Sequence, residues 1–424
     1  MRKLIKKCTV FMLSVLCASS ILAGCGDSGQ DGVTQIHVLQ YKPEAVAVFE
    51  RLQEEFNAAH DDIQLVIESP NDAMTILKTK LVREDYPDII GIGGDMNYSY
   101  FVDANILADV SDYEGLKSIK PAYLEMLEGL EFVPTEGTFG VPYVANAAGV
   151  LYNRAMFQEH GWQIPTTWSE FIALCEQIQS EQIQPLYFGF RDTWTCLAPW
   201  NALAVGLAPA DVCAQVNRKE TTFQENYGQV ADRVLEMLKY GQSGPFAYNY
   251  NDACIAFANG ETAMYAIGSY AVPQIKSVNP DMDIDSFVMP ANDDASKNVL
   301  NSGIDLQFCL TKECKDKEAA YEVLDFLLEH DNMQSYLDDQ NAVPCKDEAF
   351  TLAPMLDGMA SYIEEGKMSD YHDHHYPSEM AVDGMIQTFL MEQDKDAFLQ
   401  KFDKDWLRYN RDIIRKVEEY GSGQ

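Results

Sequence analysis

Apolar residues recur at two distinct periods along the first hundred positions. Gln35-Ile36-His37-Val38-Leu39 is a short β-rich run, and Ala45, Phe49, Leu52 and Phe56 follow at a 4-3-4 spacing that marks one face of a helix. Ile63, Leu65 and Ile67 alternate with their neighbours, which is the pattern of a strand. A second helical stretch over 73–82 leads to Pro87-Asp88-Ile89-Ile90-Gly91, another short strand. Strand, helix, strand, helix, strand predicts a parallel α/β sheet. Ligands of such sheets sit beyond the carboxyl ends of the strands. Here those ends open into Gln40-Tyr41-Lys42 and Gly93-Gly94-Asp95-Met96-Asn97.

Farther along, 139–150 reads as strand with turns, and Tyr152-Asn153-Arg154 leads into a helix over 155–160. Thr167, with Glu170 three residues later, predicts a capping box at the start of the next helix. Leu399, Phe402, Trp406 and Ile413 predict a terminal amphipathic helix packed on the body, and Trp168 and Trp406 read as core. Gly91-Ile92-Gly93-Gly94 lacks both GxGxxG spacing and a Walker lysine, so it reads as a tight turn that lets backbone approach a ligand. His372-Asp373-His374-His375 reads as a solvated loop, because three histidines crowded into four residues do not converge on one ion unaided.

The N-terminus follows another logic. Arg2, Lys3, Lys6 and Lys7 precede an apolar run over 10–22, too short for a stop-transfer helix, and then Leu22-Ala23-Gly24-Cys25. That layout predicts a secretory signal, residues 1–24, cleaved before Cys25, whose thiol and new amino group carry lipid. Residues 25–32 then form a lipidated, glycine-rich tether, reaching roughly 15 Å as a coil. No later apolar run has the ~18 residues a membrane span needs. The expected location is the outer face of the cell membrane, held through a lipid anchor only.

The chain has 424 residues, enough for two lobes rather than one core. Its formal charge is −35, and the four basic residues of the leader belong to a total of only 31 against 66 acids. So acidic a body repels phosphates, which excludes nucleic acid as a partner. Seven cysteines follow Cys25 at irregular spacings without CxxC, so free buried thiols are expected rather than a disulfide framework. No GxSxG, HExxH or triad-like signature is present, and no enzyme activity, cofactor or metal is expected.

Three ordered segments carry a resemblance. Gly140-Val141-Pro142-Tyr143 through Tyr152-Asn153-Arg154, with Pro165-Thr166-Thr167-Trp168-Ser169-Glu170-Phe171 downstream, is the first. Phe257-Ala258-Asn259-Gly260-Glu261-Thr262-Ala263-Met264 with Gly268-Ser269-Tyr270 is the second. Met289-Pro290, Gly303-Ile304-Asp305, a helix over 317–330 and Asn341-Ala342-Val343-Pro344 form the third. Together they resemble family 1 extracellular solute-binding proteins, the maltose-binding-like receptors of ABC sugar importers, with Tyr270 where that family has Trp. The resemblance implies an α/β, two-lobed periplasmic-binding-protein type II fold with hinge crossings, closing on a ligand by hinge motion. It places lobe 1 at 33–140 and 270–343, and lobe 2 at 141–269 and 344–424. It also implies permease subunits as partners and a monomeric receptor.

A carbohydrate has apolar C–H faces and a rim of hydroxyls, so its site needs flat aromatic faces beside carboxylates and amides. Gln40, Tyr41, Asp95, Asn97, Tyr143, Asn146, Asp192, Trp194, Tyr270 and Asp305 are the expected ligand contacts. Tyr98, Tyr100, Trp200 and Arg191 are further strand-end or turn candidates. Asp95 has an alternative role as the carboxylate of an Asx turn. A neutral sugar or oligosaccharide is the expected ligand. A surface-anchored glycosidase with two carboxylates about 5 to 9 Å apart remains an alternative. So does a same-fold receptor for a peptide, amino acid or polyamine.

Overall fold

The computed structural model describes residues 32–423. The expected leader, Cys25 and nearly all of the tether lie outside them. Strands β1 (Thr34–Gln40), β2 (Ile63–Glu68) and β3 (Ile89–Ile92) run parallel, with β1 between the other two. The helix Val46–Ala59 buries Val48, Phe49, Leu52 and Phe56, the predicted face. Phe49 meets Tyr336 and Phe308 at ring distances of 5.3 and 6.2 Å. Each such side chain contributes about 1.5–3 kcal/mol on burial, which fixes the face the helix presents. The helix Ala73–Val82 connects β2 to β3 as the pattern predicts.

Among the described residues nine further strands follow: β4 (Val141–Ala145), β5 (Val150–Asn153), β6 (Gln184–Leu186), β7 (Thr262–Tyr265), β8 (Ile284–Phe287), β9 (Leu300–Asn301), β10 (Ile304–Leu310), β11 (Val343–Pro344) and β12 (Met368–Ser369). The first sheet has the order β11-β4-β10-β3-β1-β2, and the second β6-β7-β5-β8. The first sheet is mixed: β10 pairs antiparallel with both β3 and β4, and β11 antiparallel with β4. The chain passes between sheets at Asn146–Gly149, at 288–303 and again after β11. The first two passages are stitched together, since Ala148 donates its N–H to the Asn301 carbonyl at 2.8 Å and Asn146 to that of Gly303 at 3.2 Å. The third joins them where β12 pairs with β9.

Two expected boundaries shift. β4, expected in lobe 2, is a strand of the first sheet, and β8, expected in lobe 1, pairs with β5 in the second. The chain therefore leaves the second sheet near 288 rather than 270. Alternate residues of β5 serve two cores: Leu151 joins the cluster that continues into the first sheet, while Val150 and Tyr152 face a second cluster under the C-terminal helices.

Local expectations fare well. The Thr167–Glu170 capping box forms at the helix Trp168–Ser180. Trp168 is buried, with its N–H on Glu236 at 2.9 Å, and Trp406 is buried, with its N–H on Asn217 at 2.9 Å. The terminal amphipathic helix is broken at Asn410 into Lys395–Tyr409 and Arg411–Ser422. Seven free cysteines are present among the described residues, six of them buried.

The 372–375 segment corrects the sequence reading. It is a 3-10 turn, with His372 1 % exposed, rather than a solvated loop. It packs where the crossings meet, against Gly303, where an added Cβ would lie 2.3 Å from the Asp370 carboxylate and 2.7 Å from the His374 ring. Only glycine permits that approach.

Candidate functional site

Two cavities open between the sheets on the side where β1 and β3 end. The first, about 480 Å³, is walled by Lys42, Asn146, Tyr250, Tyr270, Asp305 and Gln340. The second, about 300 Å³, is walled by Asp95, Asn97, Leu197, Asp373, His374 and Asp383. Both draw walls from segments attached to both sheets.

At the end of β1 the chain turns into Lys42, and the Gln40 side chain makes that turn: its Oε1 accepts the Lys42 N–H at 2.6 Å and its Nε2 donates to the Lys42 carbonyl at 2.8 Å. Gln40 is fully buried and also donates to Ser69, so its amide is spent on the loop and not on a ligand. Lys42 reaches both oxygens of Asp305, at 3.1 and 2.9 Å, and Glu44 at 2.9 Å. Burial opposes the Lys42 charge, but the Asp305 and Glu44 carboxylates outweigh it and hold its pKa above the ordinary lysine value. Tyr41 lies behind this pair and donates its hydroxyl to the Asp305 carbonyl. Asn146 approaches Asp305 at 3.5 Å, and its own side-chain oxygen is buried without a partner.

Two aromatic rings, Tyr250 and Tyr270, line the first cavity, and a third, Trp194, packs beside them. Trp194 is 41 % exposed and lies 5.0 Å from Tyr250 and 6.2 Å from Tyr270, centroid to centroid. Tyr270 folds back over Gly268, where any Cβ would sit 2.3 Å from the ring. The Gly-Ser-Tyr order thus sets the ring's position. Burial, followed by the Asp373 and Asp305 charges, holds the Tyr270 hydroxyl firmly protonated. Asp192 supports this shelf from behind, its carboxylate accepting the Tyr250 N–H at 3.0 Å at the start of the helix Tyr250–Ala258.

In the second cavity Asp95 caps the helix Met96–Asp103, accepting the Asn97 N–H at 2.8 Å and its side-chain amide at 3.1 Å. The turn expected of Asp95 and its place on a cavity wall are both present. Opposite lie Asp373, held by the Asn201 amide at 2.9 Å, and His374, on Asp370 at 2.7 Å. Burial works against the His374 charge, yet Asp370, with Asp373 and Asp95 beyond it, lifts its pKa to about 9. Burial likewise opposes the Asp370 charge, and His374 and His375 overcome it, taking the carboxyl to about 2. Burial pushes Asp373 upward, with His374 partly offsetting it.

Of the residues expected from the sequence, Asn146, Tyr270 and Asp305 line the first cavity and Asp95 and Asn97 the second, with Trp194 on the shelf. Tyr41 and Asp192 brace the walls without lining them. Gln40 and Tyr143 are interior: Tyr143 is fully buried against Phe308 and Tyr336 at 5.3 and 5.1 Å. Tyr98 and Trp200 are core as well, and Arg191 lines neither cavity. The glycines of 91–94 serve sheet contacts, Gly94 donating its N–H to the Ile304 carbonyl at 2.9 Å. Sequence reasoning missed Lys42, Tyr250, Asp373, His374 and Asp383. The strand-end rule that selected Tyr41 points equally to Lys42. The histidine-rich turn is itself a signal, since a polar cluster at a crossing can line a cavity as well as face solvent.

Flat rings facing a carboxylate, an amide and an ammonium group form a surface for a polyhydroxylated ring. Among the described residues, no group of three or more His, Cys, Asp or Glu is placed to hold a metal ion.

Comparison with known proteins agrees with this fold. The multiple sugar-binding protein of Streptococcus mutans is 27 % identical over 340 residues, covering 78 % of this chain and 79 % of that one. The apo form of RafE from Streptococcus pneumoniae superposes with a TM-score of 0.79 at 22 % identity, over 91 % of this chain and 99 % of that one. A sugar transporter from Bacillus licheniformis in complex with stachyose gives 0.67 at 18 % identity, over 88 % and 99 %. Residues 51–360 match the profile of the bacterial extracellular solute-binding proteins, and the chain belongs to that family.

Proposed function

We propose that this chain is the sugar receptor of an ABC importer, capturing a neutral sugar or oligosaccharide between its lobes and handing it to membrane permease subunits. It acts outside the cytoplasm, as its family does, and it is a binding protein rather than an enzyme. The observation that carries the reading is one cavity lined by Tyr250, Tyr270, Asp305 and Asn146, with the exposed Trp194 ring packed beside its two tyrosines. In this proposal the rings stack on C–H faces, while Asn146, Asp305, Asp95, Asn97 and Asp373 take hydroxyls. The name of the Streptococcus mutans relative and the stachyose bound to the Bacillus licheniformis structure support the choice of sugar. Lipidation at Cys25 and a monomeric state complete the proposal.

An amino acid or peptide would need a free cation for its carboxylate. Lys42 and His374, the cations on the two walls, are both engaged by carboxylates. The test is thermal melting against a panel of neutral mono- and oligosaccharides including raffinose and stachyose, with amino acids, peptides and polyamines as further arms. A ligand at 100 times its Kd adds about 2.7 kcal/mol. A rise with one or more sugars is expected, with the sugar recovered intact by chromatography. A rise with amines or peptides alone, or turnover of the sugar, overturns the reading.

A further inference from the structure

Behind the 372–375 turn lies a cavity that the sugar reading does not use. His374 lines the sugar side of that turn, while His375 lines this cavity of about 480 Å³. Phe132 and Val133 form one wall, on the loop after the helix Pro121–Leu130. Ile413, Val417 and Tyr420 form the other, along one face of the C-terminal helix Arg411–Ser422. The two walls belong to different lobes. The volume falls within the ~300–1,000 Å³ of small-molecule sites.

Asn410 sits at the start of that helix, 1 % exposed and lining the cavity, and its side-chain Nδ2 has no hydrogen-bond partner. A buried donor without an acceptor is costly, so an unmatched amide on an apolar wall points to an acceptor supplied from outside the chain. The charged groups around the cavity already have partners. Arg218 contacts Asp211 at 3.2 Å and Glu220 at 3.0 Å, Glu418 contacts Lys219, and Glu131 accepts the Thr135 N–H at 2.9 Å. His375 lies 3.5 Å from Asp370. An anionic ligand would find no free counter-ion here, and burial raises the Glu131 carboxyl above its ordinary value, which disfavours the charge a cationic ligand would need.

The geometry points to a second binding site, for an uncharged, largely apolar molecule that presents one carbonyl-type oxygen to Asn410. The apolar walls take its body and the Asn410 amide takes its oxygen. Because the walls belong to both lobes, such a ligand stabilises the lobe arrangement that shapes the cavity, and its binding is coupled reciprocally to whatever shifts that arrangement.

Nile red, uncharged and carrying one carbonyl, is the probe. The full-length mature protein is expected to saturate with one equivalent of dye and to shift its emission to the blue. Val417→Trp, filling the cavity from the helix, is expected to abolish that saturable binding. Val133→Trp fills it from the opposite lobe, so the proposal stays testable if either variant fails to fold. Asn410→Leu is expected to weaken dye binding about fivefold, the scale of one hydrogen bond. Absence of saturable binding in the wild type, or undiminished binding in the folded filling variants, overturns the site. Unchanged affinity in Asn410→Leu overturns the requirement for an acceptor oxygen.

Discussion

Tyr270 and Tyr143 look alike in the sequence, each a tyrosine at the edge of a glycine- or proline-marked turn. Their surroundings separate them. Tyr270 turns its ring into a cavity beside Trp194, whereas Tyr143 is sealed between Phe308 and Tyr336 with its hydroxyl unpartnered. Trp194→Ala and Tyr270→Ala should therefore each weaken sugar binding at least tenfold, about 1.4 kcal/mol, with little change in denaturant melts. Tyr143→Ala should instead cost about 3 to 5 kcal/mol of folding free energy. Tyr143→Phe removes only a hydroxyl without a partner, so both affinity and stability should stay at wild-type values or improve. Titration calorimetry and urea melts on the same variants decide the matter. A loss of affinity in Tyr143→Phe would return that residue to the ligand surface and contradict its burial.

At the scale of elements, what could be read from the sequence was what local periodicity encodes. The 4-3-4 spacing over 45–56 and the alternation over 63–67 depend on neighbours within two turns, and both elements form with the expected faces buried. The Thr167 cap is equally local. The insertion of β10 between β3 and β4 is not local, because it pairs strands far apart in the chain, and no periodicity in either strand announces the other. The 372–375 turn escapes a sequence reading for the same reason: Asp370 and His374 are drawn inward against Gly303 of another crossing, where a Cβ would clash with both. That burial has a measurable consequence. His374 is raised from 6.5 to about 9, so its contribution to stability is full below pH 6.5 and is lost as pH rises through 9. Asp370, lowered from 3.8 to about 2, contributes above pH 3.8 and fades as pH falls through 2. His372 has the opposite sign to His374: burial, with His375 adding, lowers it from 6.5 to about 3, and its contribution is lost as pH falls across that range. The His374 effect is isolated by comparing wild type with His374→Gln in urea melts. Their stability gap should stay constant between pH 3.8 and 6.5 and close by about pH 9. A gap independent of pH up to 10 would mean that His374 carries no charge in the folded protein.

At the scale of the whole molecule, charge and hydropathy bear on how the proposed receptor is held at a membrane. Among the described residues, no helix is long and apolar enough to cross a membrane. The chain carries 66 acids against 31 bases, and four of those bases fall within residues 1–24. A body of that charge is repelled by anionic headgroups and has no electrostatic means of adhering to a bilayer. Under the proposed lipidation, attachment rests on Cys25, where two or three acyl chains would add about 0.8 kcal/mol per buried CH₂ and make a stable anchor. Cys25→Ser should accordingly move the protein to the aqueous phase in detergent partitioning, or leave it as an uncleaved precursor that no longer incorporates labelled palmitate. Its sugar affinity should be unchanged, since every residue of the proposed cleft lies in the described body. If the variant is cleaved and still remains with the membrane through a high-salt wash, lipid at Cys25 is not the anchor. The acidic body would then have to be held by a protein partner instead.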